Sequence, residues 1–360
     1  MKRLMFTLAL LFACQMASLK AQQNVEVVNI ENEVVAAYMK DQTYFTRPDS
    51  VPYKSVMPQY HSIQKNGSRF ERPNGKTLKW NLSGIDNVEY INVTLTNRNT
   101  MKITNYRTPS ANDTVFTLTN LYPQQNYAYL ACAVRSDSSR VTLCNGSFRT
   151  MGQVRMLSVG GVHNLRDMGG WQTTFGKTIR YGLLYRSGNL DRITKSGKEE
   201  FVKYQNVRAE LDLRGESKLK YSALGEEYDF IKIVAGSYAG SLEKNGTLFA
   251  DDVRWVINRL REDKSVDWHC AIGCDRCGTL SFVIGALLGM NEIDLGRDYE
   301  LSYLANHKRL SDSGGFRAII RFMRRQGASG DSLAECTAKY LLKNGLSQED
   351  IDYFRKRMLK

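Results

Sequence analysis

Beyond its amino terminus, the sequence contains no run that approaches the ~18 uninterrupted apolar residues of a membrane-spanning helix. It also lacks internal repeats, low-complexity tracts and any motif typical of nucleic-acid binding. We therefore expect a mature chain that is soluble or peripherally tethered and that binds no nucleic acid. Its formal net charge of +13 favours anionic substrates or an anionic membrane surface instead.

The amino terminus carries a short apolar stretch that has the pattern of a targeting signal. Residues 1–21 combine a basic start, an apolar core and a small residue, Ala21, at a fitting cleavage position. This pattern is typical of a secretory signal peptide. A loose lipobox that ends at Cys14 predicts a lipid-anchored form as the alternative. Either route places the mature protein in a bacterial periplasm or outside the cell.

The composition changes near residue 150, so the 360 residues predict more than one domain. Before this point, polar turns separate strand-like segments at 77–82, 88–95, 114–118, 127–134 and 147–150. Residues 121–127 resemble the tyrosine corner of fibronectin type III modules, with Trp80 as the core tryptophan. The sequence predicts an all-β sandwich of this type over residues 55–150. Residues 22–54 are either a lead-in or an added strand.

The pattern after residue 150 is that of an α/β domain. Residues 207–213, 228–234 and 266–269 are predicted strands, and 251–261, 278–290 and 348–359 are predicted helices. This alternation predicts a domain over residues 151–360 with a central, mostly parallel sheet flanked by helices. Cys270 then lies just beyond the carboxyl end of a strand, where open α/β sheets bind ligands.

The most informative segment is residues 269–279, which read His-Cys-Ala-Ile-Gly-Cys-Asp-Arg-Cys-Gly-Thr. The arc from Cys270 to Arg276 is long enough to turn successive backbone N–H groups inward around one phosphoryl group. Gly273 permits the turn, and the helix that follows presents its positive end to the anion. This field lowers the pKa of the Cys270 thiol and makes it a nucleophile, while Arg276 would grip the charged oxygens.

This loop resembles the signature of the protein tyrosine phosphatase superfamily, and within it a bacterial tyrosine and dual-specificity branch related to lipid phosphatases. Segments 163–190 and 210–216 and the carboxyl-terminal residues from Tyr340 resemble further motifs of that branch, so the resemblance covers about residues 155–360. It implies the cysteine-phosphatase fold and a reaction without a metal or other cofactor. The implied substrate is a phosphorylated protein, a small phosphoester or a lipid.

The resemblance also implies roles for individual residues. Cys270 is the nucleophile, His269 supports the loop and the thiolate, and Arg276 clamps the phosphate. Asp275 is the first candidate for the general acid, Asp212 the second and Asp167 the third. The structural alternatives are an ion pair with Arg214 for Asp212 and a turn contact for Asp167. The residues implied to contact substrate are Ala271, Ile272, Gly273, Cys274, Arg166 and Asp167.

Two positions depart from the branch. Cys274 replaces a lysine that in related enzymes meets a second phosphate, which weakens the case for phosphoinositide substrates. Cys277 replaces a hydroxyl residue that donates a hydrogen bond to the nucleophile, and a thiol is a weaker donor. Turnover is then slow, unless Thr279 takes over this role.

The cysteines leave several interpretations open. A zinc site is disfavoured because the ligands do not fall into two separated pairs. A reversible disulfide could join Cys270 to Cys274 or Cys277. A bridge between Cys132 and Cys144 would staple a hairpin in an oxidising compartment, with two unbridged thiols as the alternative.

The arginine-rich segment that contains Arg317 and Arg321 is either an amphipathic helix packed on the core or a membrane-facing element.

The function that best fits these features is that of an exported phosphatase which acts through a phosphocysteine on phosphotyrosine or with dual specificity. The alternatives are a weak or inactive phosphatase-fold protein used for binding or adhesion, and a thiol redox protein. The oligomeric state stays open.

Overall fold

The computed structural model describes residues 25–41, 56–62, 72–305 and 307–360. The predicted signal peptide and Cys14 lie outside these residues. The described chain forms two compact units. The smaller unit contains residues 25–28, 79–116 and 125–150, and the larger contains the remaining described residues. In the described chain, every helix is too short or too polar to span a bilayer.

The region before residue 152 is rich in β-structure. A five-stranded sheet has the order β1-β7-β6-β3-β4, and β2 pairs with β5. The strands are β1 (Glu26–Asn29), β2 (Lys76–Lys79), β3 (Val88–Asn97), β4 (Ile103–Arg107), β5 (Val115–Leu118), β6 (Asn126–Arg135) and β7 (Arg140–Met151). The packing of two sheets face to face and the fibronectin-like identity stay predictions. Strand β4 was not anticipated, because its residues alternate between exposed and half-exposed without a buried apolar face.

Two expectations for this region need correction. Trp80 is only half-buried, with its ring N–H donating to the carbonyl oxygen of Asp113 at 2.7 Å, whereas Leu78 is buried. The register of β6 and β7 places Cys132 opposite Thr142 and Cys144 opposite Ala131. The two cysteines do not face one another, and the structure has no disulfide between them.

The larger unit is a mixed α/β structure, as predicted, around a sheet of order β11-β10-β12-β9-β8. The pairs β11–β10, β10–β12 and β12–β9 are parallel, and β9–β8 is antiparallel. Strand β12 is buried along its whole length and β10 almost so, because helices cover both faces of the centre of such a sheet. The strands are β8 (Arg166–Asp167), β9 (Leu184–Ser187), β10 (Val207–Asp212), β11 (Asp229–Lys232) and β12 (Ser265–His269).

The helices agree with the predicted positions where predictions existed. Two helices precede the strands of the larger unit's sheet in the chain, namely α1 (Glu33–Lys40) and α2 (Met57–Ser62). The rest are α3 (Lys195–Glu199), which runs into a π-helical turn (Glu200–Tyr204), α4 (Tyr238–Lys244), α5 (Gly246–Arg261), α6 (Asp275–Leu287), α7 (Glu292–Glu300) with a 3₁₀ turn (Leu301–Ala305), α8 (Gly314–Arg324), α9 (Leu333–Lys343) and α10 (Gln348–Met358). Helix α6 begins at Asp275, three residues before the predicted start at Gly278.

Helix α1 explains why the unit boundary differs from the predicted division at residue 150. The Asn32 side chain caps the helix by accepting from the backbone N–H groups of Val34 and Val35. Val34, Val35 and Tyr38 lie in the main hydrophobic core, and the Tyr38 hydroxyl donates to Glu300 at 2.7 Å. Helix α1 is therefore part of the larger unit, whereas β1 before it is an added strand of the five-stranded sheet.

Helix α8 is the arginine-rich segment. Its apolar side chains Phe316, Ile319, Phe322 and Met323 are buried in the same core, while Arg321 on the opposite face is exposed. The structure therefore shows the core-packed amphipathic helix rather than a membrane-facing element.

We expect Ile319→Ala to lower the free energy of unfolding by about 2–5 kcal/mol, because it opens a cavity at a fully buried position. The matched control is Arg321→Ala, which should change it by less than ~0.5 kcal/mol. Urea denaturation followed by circular dichroism gives both values. Equal stability of the two variants would mean that α8 does not pack through this face.

Candidate active site

The loop of residues 270–274 joins β12 to α6 at the carboxyl edge of the sheet. The register places Ser187 of β9 and Asp212 of β10 level with His269 of β12, so three strands end together at this loop. Gly273 has φ +73°, and a Cβ atom there would lie 2.6 Å from the carbonyl oxygen of Ser187. Any other residue would be strained by backbone conformation and by contact, so the loop depends on glycine at this position.

Three consecutive loop carbonyls are held by side chains from outside the loop. The Asn189 amide donates to the carbonyl oxygen of Ala271 at 2.7 Å, and the Asn164 amide donates to that of Ile272 at 3.0 Å. Arg186 donates to the carbonyl oxygen of Gly273 at 2.8 Å. In a planar trans peptide the N–H points opposite to the C=O, so the next N–H in each case faces away from these donors. The arrangement favours an anion nest within the loop.

Asp298 of α7 holds two of these donors in place. It accepts from Arg186 at 2.6 Å and from Arg166 at 2.8 Å, and Arg166 also donates to Asn164 Oδ1 at 2.7 Å. Both arginines are fully buried. Arg166 therefore supports the loop from behind, and the structure does not bring its side chain to the position predicted for substrate contact.

Cys270 begins the loop and is almost completely buried. A hydrogen bond from the Cys277 thiol is the largest influence on its pKa, and the backbone N–H groups of Cys277 and Ile272 and the charge of Arg276 act in the same direction. Together they outweigh burial and lower the pKa of Cys270 to about 5. The sulfur is consequently a thiolate at neutral pH, as a nucleophile requires.

The other two loop-region cysteines have different surroundings. Burial, with a smaller effect from Cys270, holds the pKa of Cys277 well above its usual value, so this thiol keeps the proton that it donates. Burial also raises the pKa of Cys274 to about 11, and its sulfur lies 3.6 Å from the Asn164 amide. Of the two disulfide partners considered for Cys270, only Cys277 is in hydrogen-bond contact with it. In the described chain, no cluster of three or more metal-ligating side chains could hold an ion.

Thr279 does not replace the missing hydroxyl. Its Oγ1 donates to the carbonyl oxygen of Asp275 and accepts from the backbone N–H of Tyr238, both at 2.9 Å. Cys277 therefore takes the donor position itself.

Arg276 lies at the open side of the loop and is held by Glu216. Two of its nitrogens each contact one oxygen of the Glu216 carboxylate at 2.9 Å. This pairing lowers the pKa of Glu216 to about 2 and fixes the plane of the guanidinium. Its Nη1 also donates to the carbonyl oxygen of Leu213 at 3.4 Å, so the guanidinium is held from the side of β10 and Glu216.

His269 lies beneath the loop in a group of buried acids. Its Nε2 lies 2.8 Å from Glu210 and its Nδ1 lies 3.8 Å from Asp212. Burial alone would lower the pKa of His269, but the hydrogen bond to Glu210 and the surrounding carboxylates raise it. His269 thus fixes the end of β12 through Glu210.

The three candidate acids occupy different environments. Asp275 is the one at the surface of the site, in contact with Arg309 and Tyr238. Asp212 is buried and held by Arg214 at 2.9 Å, which is the structural ion pair left open by the sequence. Asp167 is buried, paired with Arg155 at 2.9 Å and bonded to the N–H of Gly169 at 2.8 Å. The structure does not bring Asp167 to the loop, either as an acid or as a substrate contact.

A cavity of about 440 Å³ adjoins the loop at Ala271 and Ile272. Asn189 and Arg192 form another part of its wall, together with a third part from Leu304, Ala305 and His307. Its volume is within the range of pockets that take small ligands.

Residues 157–360 match the family described as "Tyrosine phosphatase family". The chain belongs to this family. It is accordingly a phosphatase, a phosphoric monoester hydrolase with cysteine-based chemistry. A search of curated proteins finds no significant match to the sequence.

Several solved phosphatases resemble the chain at 15% identity each. The core catalytic domain of the PP-IP phosphatase SIW14 of S. cerevisiae covers 39% of this chain and 84% of its own, with a TM-score of 0.29. The alignment with TpbA of P. aeruginosa covers 50% of this chain and 88% of TpbA, with a TM-score of 0.27. The alignment with Tk-PTP in the active form covers 42% of this chain and 92% of Tk-PTP, with a TM-score of 0.26. The family assignment rests on the match over residues 157–360.

The sequence left the supporting residues of this phosphatase without roles. Asn164, Arg186 and Glu216 lie within the motif segments, but a motif does not show which backbone group or side chain each one contacts. Asp298 and Arg309 are distant in the chain, and no spacing connects them with the loop.

The phosphatase should lose its low thiol pKa when Cys277 is replaced by Ala. The lost donor is worth about 1–2 units of pKa in a charge-assisted hydrogen bond, so the Cys270 pKa rises and less thiolate remains at neutral pH. Ultraviolet thiolate absorbance against pH, less that of Cys270→Ser, gives the midpoint. Cys277→Ser keeps a donor, and because a hydroxyl donates more strongly than a thiol, its midpoint should lie at or below the wild-type value. An unchanged midpoint in the Ala variant would exclude Cys277 as the donor.

Asp298→Asn should destabilise the phosphatase by about 3–5 kcal/mol, because two buried arginines lose their counter-charge. Glu199→Gln, which breaks an exposed pair with Lys203, is the control and should cost less than ~1 kcal/mol. Thermal and urea unfolding measure both. Equal losses of stability in the two variants would mean that Arg166 and Arg186 do not need the charge of Asp298.

Proposed function

We propose that this protein is an exported phosphatase that hydrolyses phosphate monoesters in two steps, through a phosphocysteine at Cys270. The observation that carries the proposal is a nearly buried cysteine whose pKa lies near 5, at the base of a loop whose carbonyls are held away from the interior. A thiolate in a nest of N–H groups can both attract a phosphate ester and attack its phosphorus.

In the first step Cys270 displaces the leaving oxygen from phosphorus. Arg276, fixed by Glu216, would bind the equatorial oxygens as their charge grows, together with the inward N–H groups. Asp275 would give its proton to the leaving oxygen, since it is the candidate acid at the surface of the site.

In the second step water attacks the phosphocysteine and the sulfur leaves as a thiolate. The hydrogen bond from Cys277 stabilises this leaving group. A thiol donates more weakly than the hydroxyl found in related enzymes, so we propose that hydrolysis of the intermediate limits turnover.

The proposed substrates are phosphotyrosine residues, with dual specificity as the broader form. A cavity adjoins the loop at Ala271 and Ile272, but neither Cys270 nor Arg276 lines it, so the proposed substrate class is supported by the family match over residues 157–360. Export is proposed from the signal-like residues 1–21.

Hydrolysis of para-nitrophenyl phosphate by the reduced full-length mature protein tests the chemistry. Cys270→Ser should abolish hydrolysis. Asp275→Asn should slow the hydrolysis of phenyl phosphate far more than that of the nitrophenyl ester, because phenolate is the poorer leaving group and needs a proton from the acid. A side-by-side panel of phosphotyrosine and phosphoserine peptides tests the substrate class. If wild type and Cys270→Ser are equally inactive, the phosphatase fold serves binding instead.

A further inference from the structure

The carboxylate of Asp275 is held by groups from two other parts of the chain. Arg309 Nε donates to Oδ1 at 2.6 Å and Arg309 Nη2 donates to Oδ2 at 2.9 Å. The Tyr238 hydroxyl donates to Oδ1 at 2.5 Å and is itself 2.9 Å from the hydroxyl of Tyr299. Both oxygens of the proposed general acid are therefore engaged by donors.

This arrangement conflicts with the protonated form of Asp275. A carboxylic acid has an O–H of its own, and a guanidinium has no acceptor atom to receive it, so Arg309 cannot contact a protonated oxygen favourably, whereas the Tyr238 hydroxyl can accept as well as donate. A bidentate Arg–carboxylate contact stabilises the ionised form in both geometry and charge. Asp275 can act as an acid only when at least one oxygen is released from the Arg309 fork.

The backbone around Tyr238 provides a second, independent observation. Tyr238 has φ +63°, a left-handed conformation that is an outlier for a bulky residue and costs about 1–3 kcal/mol. The hydrogen bond from its N–H to Thr279 Oγ1 on α6 stabilises the conformation. The chain thus accepts local strain at the residue whose hydroxyl contacts Asp275, and such strain concentrates at functional sites.

Arg309 is anchored at its backbone and accessible at its side chain. Its N–H donates to the carbonyl oxygen of His307 at 2.6 Å, and Ser311 is fixed by two hydrogen bonds to Glu300. The Arg309 side chain is 35% exposed. The guanidinium can therefore leave Asp275 without displacing the segment, whose residue His307 also lines the cavity beside the loop.

We propose that Arg309, together with Tyr238, is a positioning residue that fixes the orientation of Asp275 and sets the pH above which Asp275 no longer protonates the leaving group. This inference rests on the proposed function, since it assigns a control element to the same general acid. It makes the leaving-group range of the enzyme depend on a residue outside the loop and its flanking elements.

The other charged and titratable groups around Asp275 act in smaller measure. Arg276 on the same helix also favours the ionised form, and Cys274 and Tyr299 sense the charge of Asp275. Burial alone would raise the pKa of Asp275, but the hydrogen bonds from Arg309 and Tyr238 and the charges of both arginines hold it below its usual value. Removal of Arg309 should therefore raise it.

The test compares Arg309→Gln with wild type in the full mature chain, with kcat/KM against pH for para-nitrophenyl and phenyl phosphate, because kcat/KM reports the first step even when hydrolysis of the phosphocysteine limits kcat. The alkaline limb should move up by about one unit or more, because an adjacent arginine lowers a carboxyl pKa by this amount. The kcat/KM for phenyl phosphate should rise several-fold at pH values above the wild-type limb, and that for para-nitrophenyl phosphate should rise less. Arg309→Lys, which keeps the charge without the fork, should lie between the two. Arg325→Gln, an exposed arginine of α8's end, should match wild type.

A purely structural role would lower kcat/KM by one factor at every pH and for both esters, and that result would overturn the proposal. So would an alkaline limb that persists in Asp275→Asn. A carbon-13 NMR titration of aspartate carboxyls, with Asp275 assigned from the Asp275→Asn spectrum, reads the same pKa without catalysis. A shifted Asp275 in a protein that hydrolyses nothing would refute the proposed function and support the control by Arg309. An unshifted Asp275 in an active enzyme would refute the control alone.

Discussion

The direction of three peptide planes determines what this site can do. Asn189, Asn164 and Arg186 each bind one carbonyl of the loop, and the N–H groups on the other side of those planes are thereby committed to the interior. One of these groups, the N–H of Ile272, adds to the larger effect of the Cys277 thiol in keeping Cys270 ionised, whereas burial alone would favour the neutral thiol. The anion nest and part of the stabilisation of the nucleophile thus depend on one backbone conformation.

The support of this conformation is itself charged and buried. Arg166, Arg186 and Asp298 lie away from solvent, and such groups contribute little net stability compared with apolar residues of similar size. Their value is geometric, because a guanidinium that bridges a carboxylate and a carbonyl has very few alternative positions. The larger unit therefore buries charged side chains behind the loop, where a fixed geometry is needed, and buries apolar side chains elsewhere, as in α8.

The sequence predicted the parts of the site that are local. Strand β12 was predicted at residues 266–269 and is found at Ser265–His269, because a short β-rich run before a glycine loop has few alternatives. The α/β character after residue 150 and the position of most helices followed from periodicity in the same way. The roles of Asp298, Glu216 and Arg309 could not be predicted, since they depend on contacts between segments 20 or more residues apart, which no spacing rule covers. Burial separated Asp275 from Asp212 and Asp167, and burial is a property of the folded chain. The grouping of α1 with the larger unit was missed because a single eight-residue helix gives no sign of which core it joins.

The loop is held by the protein's own side chains, and this has a consequence for what leaves the site. Affinity for the phosphoryl group then comes from contacts that the free inorganic ion also makes, whatever alcohol was attached to it. Released phosphate competes with fresh ester for the same cradle. The enzyme is therefore inhibited by its own product, and its rate falls as the phosphate concentration of its compartment rises.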